Sequence, residues 1–110
     1  MALVKDVNVN ELELALKGDK PVLIDFWATW CRPCTNLMPI VEDVAARYGD
    51  QILVVKMNIA DYPDIAGAME VVSVPNLQCF KDGKKLGEKV GFMTQQEIEE
   101  WLKDCGVIKL

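Results

Sequence analysis

The sequence predicts an α/β fold, with a central mixed sheet of four to five strands and helices on both faces. Two apolar, β-favouring runs at 21–28 and 51–59 flank a helical pattern at 33–48, which indicates a βαβ unit. A later Asp82-Gly83 step between two β-favouring segments is a hairpin signal, which adds antiparallel strands. The 110 residues suffice for one core, so we expect a single domain over 1–110.

The first helix is expected after Asn8 or Asn10, either of which can cap its N-terminus, and it runs to about Lys17. Gly18 then takes the C′ position. The following run at 21–28, PVLIDFWA, is almost continuously apolar, which is typical of a strand covered on both faces. It therefore belongs in the middle of the sheet.

The second helix is expected to begin near Pro33, since proline favours the first helical turn, and to end at Gly49. Pro39 lies inside this helix, removes one backbone hydrogen bond and should kink the helix. Apolar residues recur along it at spacings of three and four: Leu37, Ile40, Val41, Val44 and Ala45.

The remaining segments complete the sheet and its cover. The run at 51–59 is a second buried strand, parallel to the first, and a weaker helix covers about 62–69. After the hairpin, Thr94 and Glu97 make a capping box for a closing helix that runs to about Asp104.

Composition and charge exclude several classes of function. Twelve basic residues against seventeen acidic ones give a net charge of −5, and no basic run offers phosphate contacts, so we expect no nucleic-acid partner. No apolar stretch approaches the roughly 18–20 residues that span a bilayer, and the first residues lack the basic and apolar regions of a signal peptide. We therefore expect a cytoplasmic protein with no membrane partner. The chain also has no histidine, the commonest general base and metal ligand.

The four cysteines are Cys31, Cys34, Cys79 and Cys105, and only the first two lie close together. Structural zinc needs two C-x-x-C pairs or histidine ligands, and this chain has one such pair and no histidine, so we expect no metal. Nothing in the sequence indicates a bound cofactor. Cys79 and Cys105 are expected to be core residues, because a buried free cysteine behaves as a small hydrophobe. If either is exposed, secondary redox sensing is the alternative.

The segment from Cys31 to Cys34 stands where the first strand of the βαβ unit turns into its helix. Residues i and i+3 of a first helical turn are neighbours, so a disulfide between these cysteines needs little backbone movement. The partial positive charge of a helix N-terminus favours a thiolate and lowers a cysteine pKa from its usual value of about 8.5. Cys31 is then the nucleophile and Cys34 the buried resolving thiol. A fixed staple is the alternative, but so short a loop constrains the unfolded chain little.

These cysteines stand in a longer pattern. The run DFWATWCRPC, the helix with Pro39, the VVKMNI strand, the Val74-Pro75 step, the FKDG hairpin and the KVGF segment follow one another between about Leu12 and Leu102. In content and order this pattern resembles the thioredoxin family. The resemblance implies the thioredoxin fold and a thiol–disulfide oxidoreductase that reduces protein disulfides through its reversible cysteine pair.

The resemblance assigns roles to two charged residues within buried strands. Asp25 matches the family's buried aspartate beneath the active site, and burial should raise its pKa toward neutrality, where proton transfer is efficient. Lys56 matches the lysine near that aspartate, and its charge should partly undo the shift, so that the two groups titrate together. We expect Asp25 to accept the proton of Cys34 as that thiol resolves the mixed disulfide. A solvent-exposed aspartate at the strand end is the alternative.

The resemblance also implies a substrate surface around the Cys31 sulfur. Pro75 matches the family's cis-proline, and Val74 before it offers backbone groups to an extended substrate segment. Trp27 repeats the family's inner tryptophan and is expected in the core. An apolar rim then comprises Trp30, Pro33, Ile59 and Gly91, with Phe92 a further candidate.

The active-site motif reads W-C-R-P-C-T, where the family pattern is W-C-G-P-C-K. Arg32 puts a positive charge beside Cys31, which should lower the pKa of that thiol, raise the reduction potential and restrict the partners that can dock. A solvated arginine without effect is the alternative. Thr35 takes the place of the family's lysine, so the local positive charge is partly moved rather than simply added. Three further departures concern fine specificity: Ala60, Ser73 and Asn76.

The leading hypothesis is a monomeric, cytoplasmic reductase of disulfide-containing proteins that a thioredoxin reductase recycles. A disulfide oxidase or isomerase tuned by Arg32 shares the chemistry, but the missing export signal disfavours it. A partner-binding module with incidental cysteines is the alternative from another class. The combination of Cys31, Cys34, Asp25 and Pro75 argues against that module.

Overall fold

A computed structural model describes residues 3–110 and shows a five-stranded sheet in the order β1-β3-β2-β4-β5. β3 and β2 are parallel neighbours joined by α2, which confirms the predicted βαβ unit. β4 runs antiparallel to β2, and β5 antiparallel to β4, so the sheet is mixed as predicted. The elements are β1 Lys5–Asp6, α1 Val9–Lys17, β2 Val22–Trp27, α2 Arg32–Tyr48, β3 Leu53–Asn58, α3 Pro63–Ala68, β4 Asn76–Lys81, β5 Lys84–Val90 and α4 Gln95–Asp104.

The edge strand β1 is the one element that the sequence did not predict. It contains only Lys5 and Asp6, which pair with Val55 and Lys56 of β3. Both residues are exposed, so the strand has no apolar alternation by which sequence reasoning could find it. Its place in the sheet comes from pairing with β3 and not from a local preference.

Helix ends follow local chemistry. Asn8 caps α1 in a capping box with Glu11, which decides between the two predicted caps in favour of Asn8. The predicted capping box of Thr94 with Glu97 at α4 is also confirmed. Gly18 follows α1 with an extended backbone at φ −75°, so the expectation of a C′ residue at this position is wrong.

Two glycine positions are decided by the backbone. At Gly49 an added Cβ would lie 2.7 Å from the backbone oxygen of Ala45, too close for any side chain. In the β4–β5 turn, Asp82 and Gly83 both have positive φ, at 52° and 76°, as a two-residue hairpin turn requires. The predicted hairpin is therefore confirmed.

The core has one layer on each face of the sheet. One cluster packs α2 and α4 against the sheet, through residues such as Leu37 and Ile98 around Leu23. The other packs α1 and α3 against the opposite face, where Leu12 lies in one cluster with Phe26. Helices therefore cover both faces, as the nearly continuous apolar strands predicted. Across residues 3–110, no helix is both long and apolar enough to cross a bilayer.

A buried glutamine joins β4 to the loop after α3. Gln78 is fully enclosed, and its Nε2 group donates a hydrogen bond to the Met69 carbonyl at 3.0 Å. A polar residue at this strand position had no sequence-level explanation, because its partner lies on a loop that packing brings to the sheet. The hydrogen bond stabilises that loop against β4.

Candidate active site

The cysteine pair lies in the turn between β2 and α2. Cys31 is the N-cap of α2, with an extended backbone, and its Sγ accepts a hydrogen bond from the Cys34 N–H at 3.2 Å. The two cysteines form a disulfide, with their Cα atoms 5.3 Å apart. Pro33 occupies the first turn of α2, where its missing N–H costs no helical hydrogen bond.

The two sulfurs differ in access. Cys31 keeps 5% of its surface exposed, whereas Cys34 is completely enclosed by the start of α2 and its surroundings. Ala28 is buried against the pair, and Trp27, Ile59 and Val74 pack on it while partly exposed. Another molecule can therefore reach Cys31 and not Cys34.

The Val74–Pro75 peptide bond is cis, as the resemblance predicted. Pro75 is buried, and its carbonyl oxygen accepts a hydrogen bond from the Gly91 N–H at 2.8 Å, which links the proline loop to the end of β5. Within residues 3–110, neither the N–H nor the carbonyl of Val74 forms a hydrogen bond. The chain therefore presents free backbone groups beside the cysteine pair.

Several apolar side chains are exposed in the same segments. Trp30, next to Cys31, is 72% exposed. Val72, in the loop between α3 and β4 that carries Pro75, is 94% exposed, and Phe92 just after Gly91 is 51% exposed. Trp27 was expected in the core but is half-buried, because its ring edge reaches the sheet edge at β1.

Asp25 is the buried acid of the site. It is fully enclosed on the face of β2 that α2 covers, and neither carboxyl oxygen has a hydrogen-bond partner. Burial raises the pKa of Asp25 to about 7, while the charge of Lys56 lowers it and the charge of Asp6 raises it. The expected upward shift and the opposing effect of the lysine therefore both occur.

Lys56 lies opposite Asp25 in the β2–β3 register but does not bond to it. Its Nζ instead lies 3.5 Å from the sulfur of Met38 on α2 and 5.5 Å from the centroid of the Trp27 ring. The lysine thus influences the acid through the field of its charge, without a direct ion pair.

Asp6 is a charged neighbour that sequence reasoning missed. Asp6, Lys56 and Asp25 occupy one row across the three parallel strands β1, β3 and β2. The Trp27 Nε1–H donates a hydrogen bond to the Asp6 carboxylate at 3.3 Å, which orients this carboxylate at the edge of the sheet. No sequence signal identifies it, since an exposed acid in a two-residue strand looks like any surface charge.

The other two cysteines lie on β4 and at the end of α4. Cys79 is fully buried in the core, which confirms the expectation for this residue, and Cys105 is half-buried against the same cluster. Both are free thiols. Burial raises the pKa of Cys79 to about 12 and also raises the pKa of Cys105.

A disulfide between an accessible sulfur and an enclosed one can exchange with a disulfide of another molecule. The accessible Cys31 sulfur bonds to the other molecule, and the enclosed Cys34 thiol can then displace that molecule from Cys31. By class, the chain is a thiol–disulfide oxidoreductase.

Comparison with known proteins gives the family. The family model Thioredoxin matches residues 3–104. The chain belongs to the thioredoxin family, and the sequence resemblance is confirmed over nearly its whole length. The family's activity is the reduction of protein disulfides.

The relatives cover most of the chain at moderate identity. A protein named Thioredoxin 1 from Synechococcus elongatus is 43% identical over 87 residues, which are 79% of this chain and 81% of that protein. The Thioredoxin of Staphylococcus haemolyticus is 38% identical over 102 residues, or 93% of this chain and 96% of that one. The Thioredoxin of Alicyclobacillus acidocaldarius is 37% identical over 90 residues, 82% of this chain and 86% of the relative.

The fold is similar to that of a solved chain. A structure that concerns thiol resolution in yeast mitochondrial 1-Cys peroxiredoxin by the glutathione and thioredoxin systems contains a chain that matches with a TM-score of 0.82. The two chains are 30% identical, and the match covers 92% of this chain and 94% of the other. The thioredoxin fold predicted from the sequence is therefore confirmed.

Proposed function

We propose that this protein reduces disulfides of other proteins with Cys31 as the nucleophile and Cys34 as the resolving thiol. The observation that carries the proposal is the contrast in access within the pair, 5% exposure for Cys31 against none for Cys34. Only the Cys31 sulfur can contact a disulfide of another protein, and the enclosed Cys34 thiol can then attack Cys31 and release that protein.

In the first step the Cys31 thiolate attacks one sulfur of the substrate disulfide. A bond forms between Cys31 and that sulfur, the substrate S–S bond breaks, and the other substrate sulfur leaves as a thiolate that takes a proton from water. The Cys34 N–H, which donates to Cys31 Sγ at 3.2 Å in the oxidised pair, is positioned to stabilise the attacking thiolate.

In the second step Cys34 loses its proton and attacks the Cys31 sulfur. The Cys31–Cys34 bond forms and the mixed disulfide breaks, with the substrate sulfur leaving as a thiolate that takes a proton from water. Two electrons have then passed from the cysteine pair to the substrate. We assign Asp25 as acceptor of the Cys34 proton, because its pKa of about 7 suits proton transfer near neutrality and its oxygens have no other partner. Lys56 is assigned as the charge that keeps this pKa from rising further.

The substrate surface is assigned to the residues around Cys31. The free N–H and carbonyl of Val74 would pair with an extended substrate segment, as in the addition of a strand to a sheet. Pro75 and Gly91 hold the loop that carries Val74. The remaining contacts are assigned to Trp30, Arg32, Pro33 and Ile59 on the neighbouring turns.

The cycle needs an electron donor, because each turnover leaves the cysteine pair oxidised. We propose a thioredoxin reductase in this role, and a monomer that works in the cytoplasm.

The direct test is reduction of insulin disulfides by dithiothreitol with and without the protein, followed by precipitation of the freed insulin chains. We expect catalysis by the wild type, a loss of about 10³-fold or more in Cys31→Ser, and nearly full activity in the matched control Cys105→Ser. Cys34→Ser should accumulate a mixed disulfide with insulin, visible by mass spectrometry. No catalysis by the wild type above the dithiothreitol background would show that the cysteines are incidental and favour the partner-binding module.

The oxidase or isomerase reading is separated by the reduction potential of the pair, measured against defined dithiol buffers. A value well below the glutathione potential supports the reductase, and a value well above it supports the alternative. Because Arg32 stabilises the reduced thiolate, Arg32→Gly should lower the potential, by up to about 30 mV for each 1.4 kcal/mol of that preference. An unchanged potential would assign Arg32 no part in tuning.

A further inference from the structure

A polar pocket lies at the turn between β2 and the start of α2, the turn that carries Cys31. It has a volume of about 340 Å³ and is lined by residues on both sides of Cys31 in the chain: Thr29, Trp30, Arg32, Thr35 and Asn36. None of these residues belongs to the cluster formed by Trp27, Ile59 and Val74 around the cysteine pair. The pocket is therefore the polar part of the proposed substrate surface, with chemistry that differs from that of the apolar cluster.

The pocket contains one charge, and that charge has no partner. Arg32 is exposed and is the only charged residue between Asp25 and Glu42 in the chain. The ion pairs within residues 3–110 involve other cations, namely Lys5, Arg47 and Lys85, so no carboxylate neutralises the Arg32 guanidinium. In a protein of net charge −5, the residue that follows Cys31 in the chain is thus an uncompensated cation.

We propose that this pocket selects disulfides that carry a carboxylate close to the sulfur that Cys31 attacks, an inference that rests on the proposed disulfide-reducing function. A guanidinium pairs with a carboxylate through two parallel N–H donors, a geometry that no neutral side chain reproduces. The Thr29 hydroxyl and the Asn36 amide add neutral donors at the same pocket. The substrate class is therefore disulfides with an acidic flank, such as a cystine next to Asp or Glu in an extended segment.

The test uses three small disulfides of different charge, so that reactivity and recognition separate. Dithiodiglycolate carries two carboxylates, bis(2-hydroxyethyl) disulfide is neutral, and cystamine carries two ammonium groups. The second-order rate constant for oxidation of the reduced protein is followed by tryptophan fluorescence in stopped flow. Wild type is compared with Arg32→Gln, with Arg32→Lys, and with Lys103→Gln as the control for loss of an exposed cation elsewhere.

The decisive quantity is the rate for the anionic disulfide divided by the rate for the neutral one. A change in Cys31 reactivity alters both rates alike and cancels, whereas recognition by Arg32 does not. We expect the ratio to fall about 1.5- to 5-fold in Arg32→Gln, the range for one exposed charge pair with a carboxylate. In the same variant, the rate for cystamine divided by the rate for the neutral disulfide should rise. Arg32→Lys should keep an intermediate ratio, Lys103→Gln the wild-type ratio, and 0.5 M salt should remove most of the difference.

A ratio in Arg32→Gln within about 1.5-fold of the wild-type ratio, or an equal fall in Lys103→Gln, overturns the selection of anionic disulfides. Reduction of the neutral disulfide by the wild type reports separately on the proposed function. If the wild type fails to reduce it, the proposed function falls, and the inference falls with it.

Discussion

The molecule holds its four cysteines in two opposite environments. Cys31 and Cys34 lie at the start of α2, where only Cys31 keeps some exposed surface and its Sγ accepts a backbone hydrogen bond. Cys79 and Cys105 lie between β4 and the end of α4, in or against the hydrophobic core. The same thiol group is placed for chemistry in one region and used as an apolar side chain in the other.

The difference shows that position, and not residue type, decides what a cysteine does. In the core, burial disfavours the thiolate and raises the pKa of Cys79 to about 12. Burial and the nearby Asp104 raise the pKa of Cys105 as well. The space beside Cys105 is also closely packed, since a Cβ added to Gly87 would lie 3.0 Å from Trp101 Nε1 and 3.5 Å from Cys105 Sγ. At the helix start, by contrast, backbone N–H groups favour a thiolate.

The largest expected effect is a difference in alkylation rate between the two regions. At pH 7 a thiol with a pKa of about 12 has about 10⁻⁵ of its molecules as thiolate. We expect iodoacetamide to modify Cys31 of the reduced, folded protein at least about 100-fold faster than Cys79, as measured by peptide mass spectrometry over time. Urea-unfolded protein is the control, in which the rates should converge. Comparable rates in the folded protein would break the comparison.

The second prediction concerns Asp25, the buried acid near Cys31 and Cys34, which within residues 3–110 has no counterpart around Cys79 and Cys105. The pKa of Asp25 is about 7 in the folded protein against an ordinary value of 3.8, so the folded state binds a proton that the unfolded state releases between these pH values. Stability therefore falls as pH rises from about 4 to 7 and then levels off. The difference of about three units corresponds to at most about 4 kcal/mol.

Asp25→Asn removes this ionisation. We expect the variant to be more stable than wild type by about 2–4 kcal/mol at pH 8 and nearly equal at pH 4, in urea unfolding of the oxidised proteins. Asp50→Asn, an exposed position after α2, is the matched control and should leave stability unchanged at both values. A stability difference that does not depend on pH would contradict the assignment of a raised pKa to Asp25.

Cys79→Ala sharpens the other side of the comparison. Removing a buried sulfur from the core should cost about 1–2 kcal/mol of unfolding free energy while insulin reduction stays within about twofold of wild type. Cys31→Ser should show the reverse pattern, with activity lost and stability of the reduced protein little changed. A loss of activity in a well-folded Cys79→Ala protein would mean that the second pair takes part in the chemistry.

The smallest expected effect belongs to Asp6, at the far end of the row Asp6–Lys56–Asp25. Asp6→Asn removes a negative charge that raises the pKa of Asp25, so the midpoint of the pH profile for the Cys34 step should move down by about 0.2–0.5 units. Trp27→Phe, which removes the hydrogen bond to Asp6 and keeps the charge, should give a smaller shift. An upward shift in Asp6→Asn would show that another effect dominates.

Much of the architecture follows from patterns that involve only neighbouring residues. The apolar runs predicted β2 and β3 to within a few residues, and the Asp82-Gly83 step predicted the hairpin, because strand faces and turn conformations are local properties. The spacing of Cys31 and Cys34 at the start of α2 likewise predicted the disulfide and its order of access.

Three features depended on packing between distant segments. The strand β1 forms because β3 has an unpaired edge. The burial of Gln78 on β4 is tolerated because the Met69 carbonyl, in the loop after α3, accepts its hydrogen bond. The half-exposure of Trp27 reflects its hydrogen bond to Asp6 across the sheet edge. None of these partners is near in sequence, so no periodicity encodes them.

The sequence by itself determined the order of the elements from α1 onward, the identity of the reactive pair and the family, because each depends on residue types at short, fixed spacings. Only the tertiary structure decided the environment of those residues. It placed Asp25 without a hydrogen-bond partner in a row with Lys56 and Asp6, and it left Arg32 outside the ion pairs of residues 3–110. The physical reason is that burial and the distance between charges set pKa values and recognition, and both arise only when segments remote in the chain pack together.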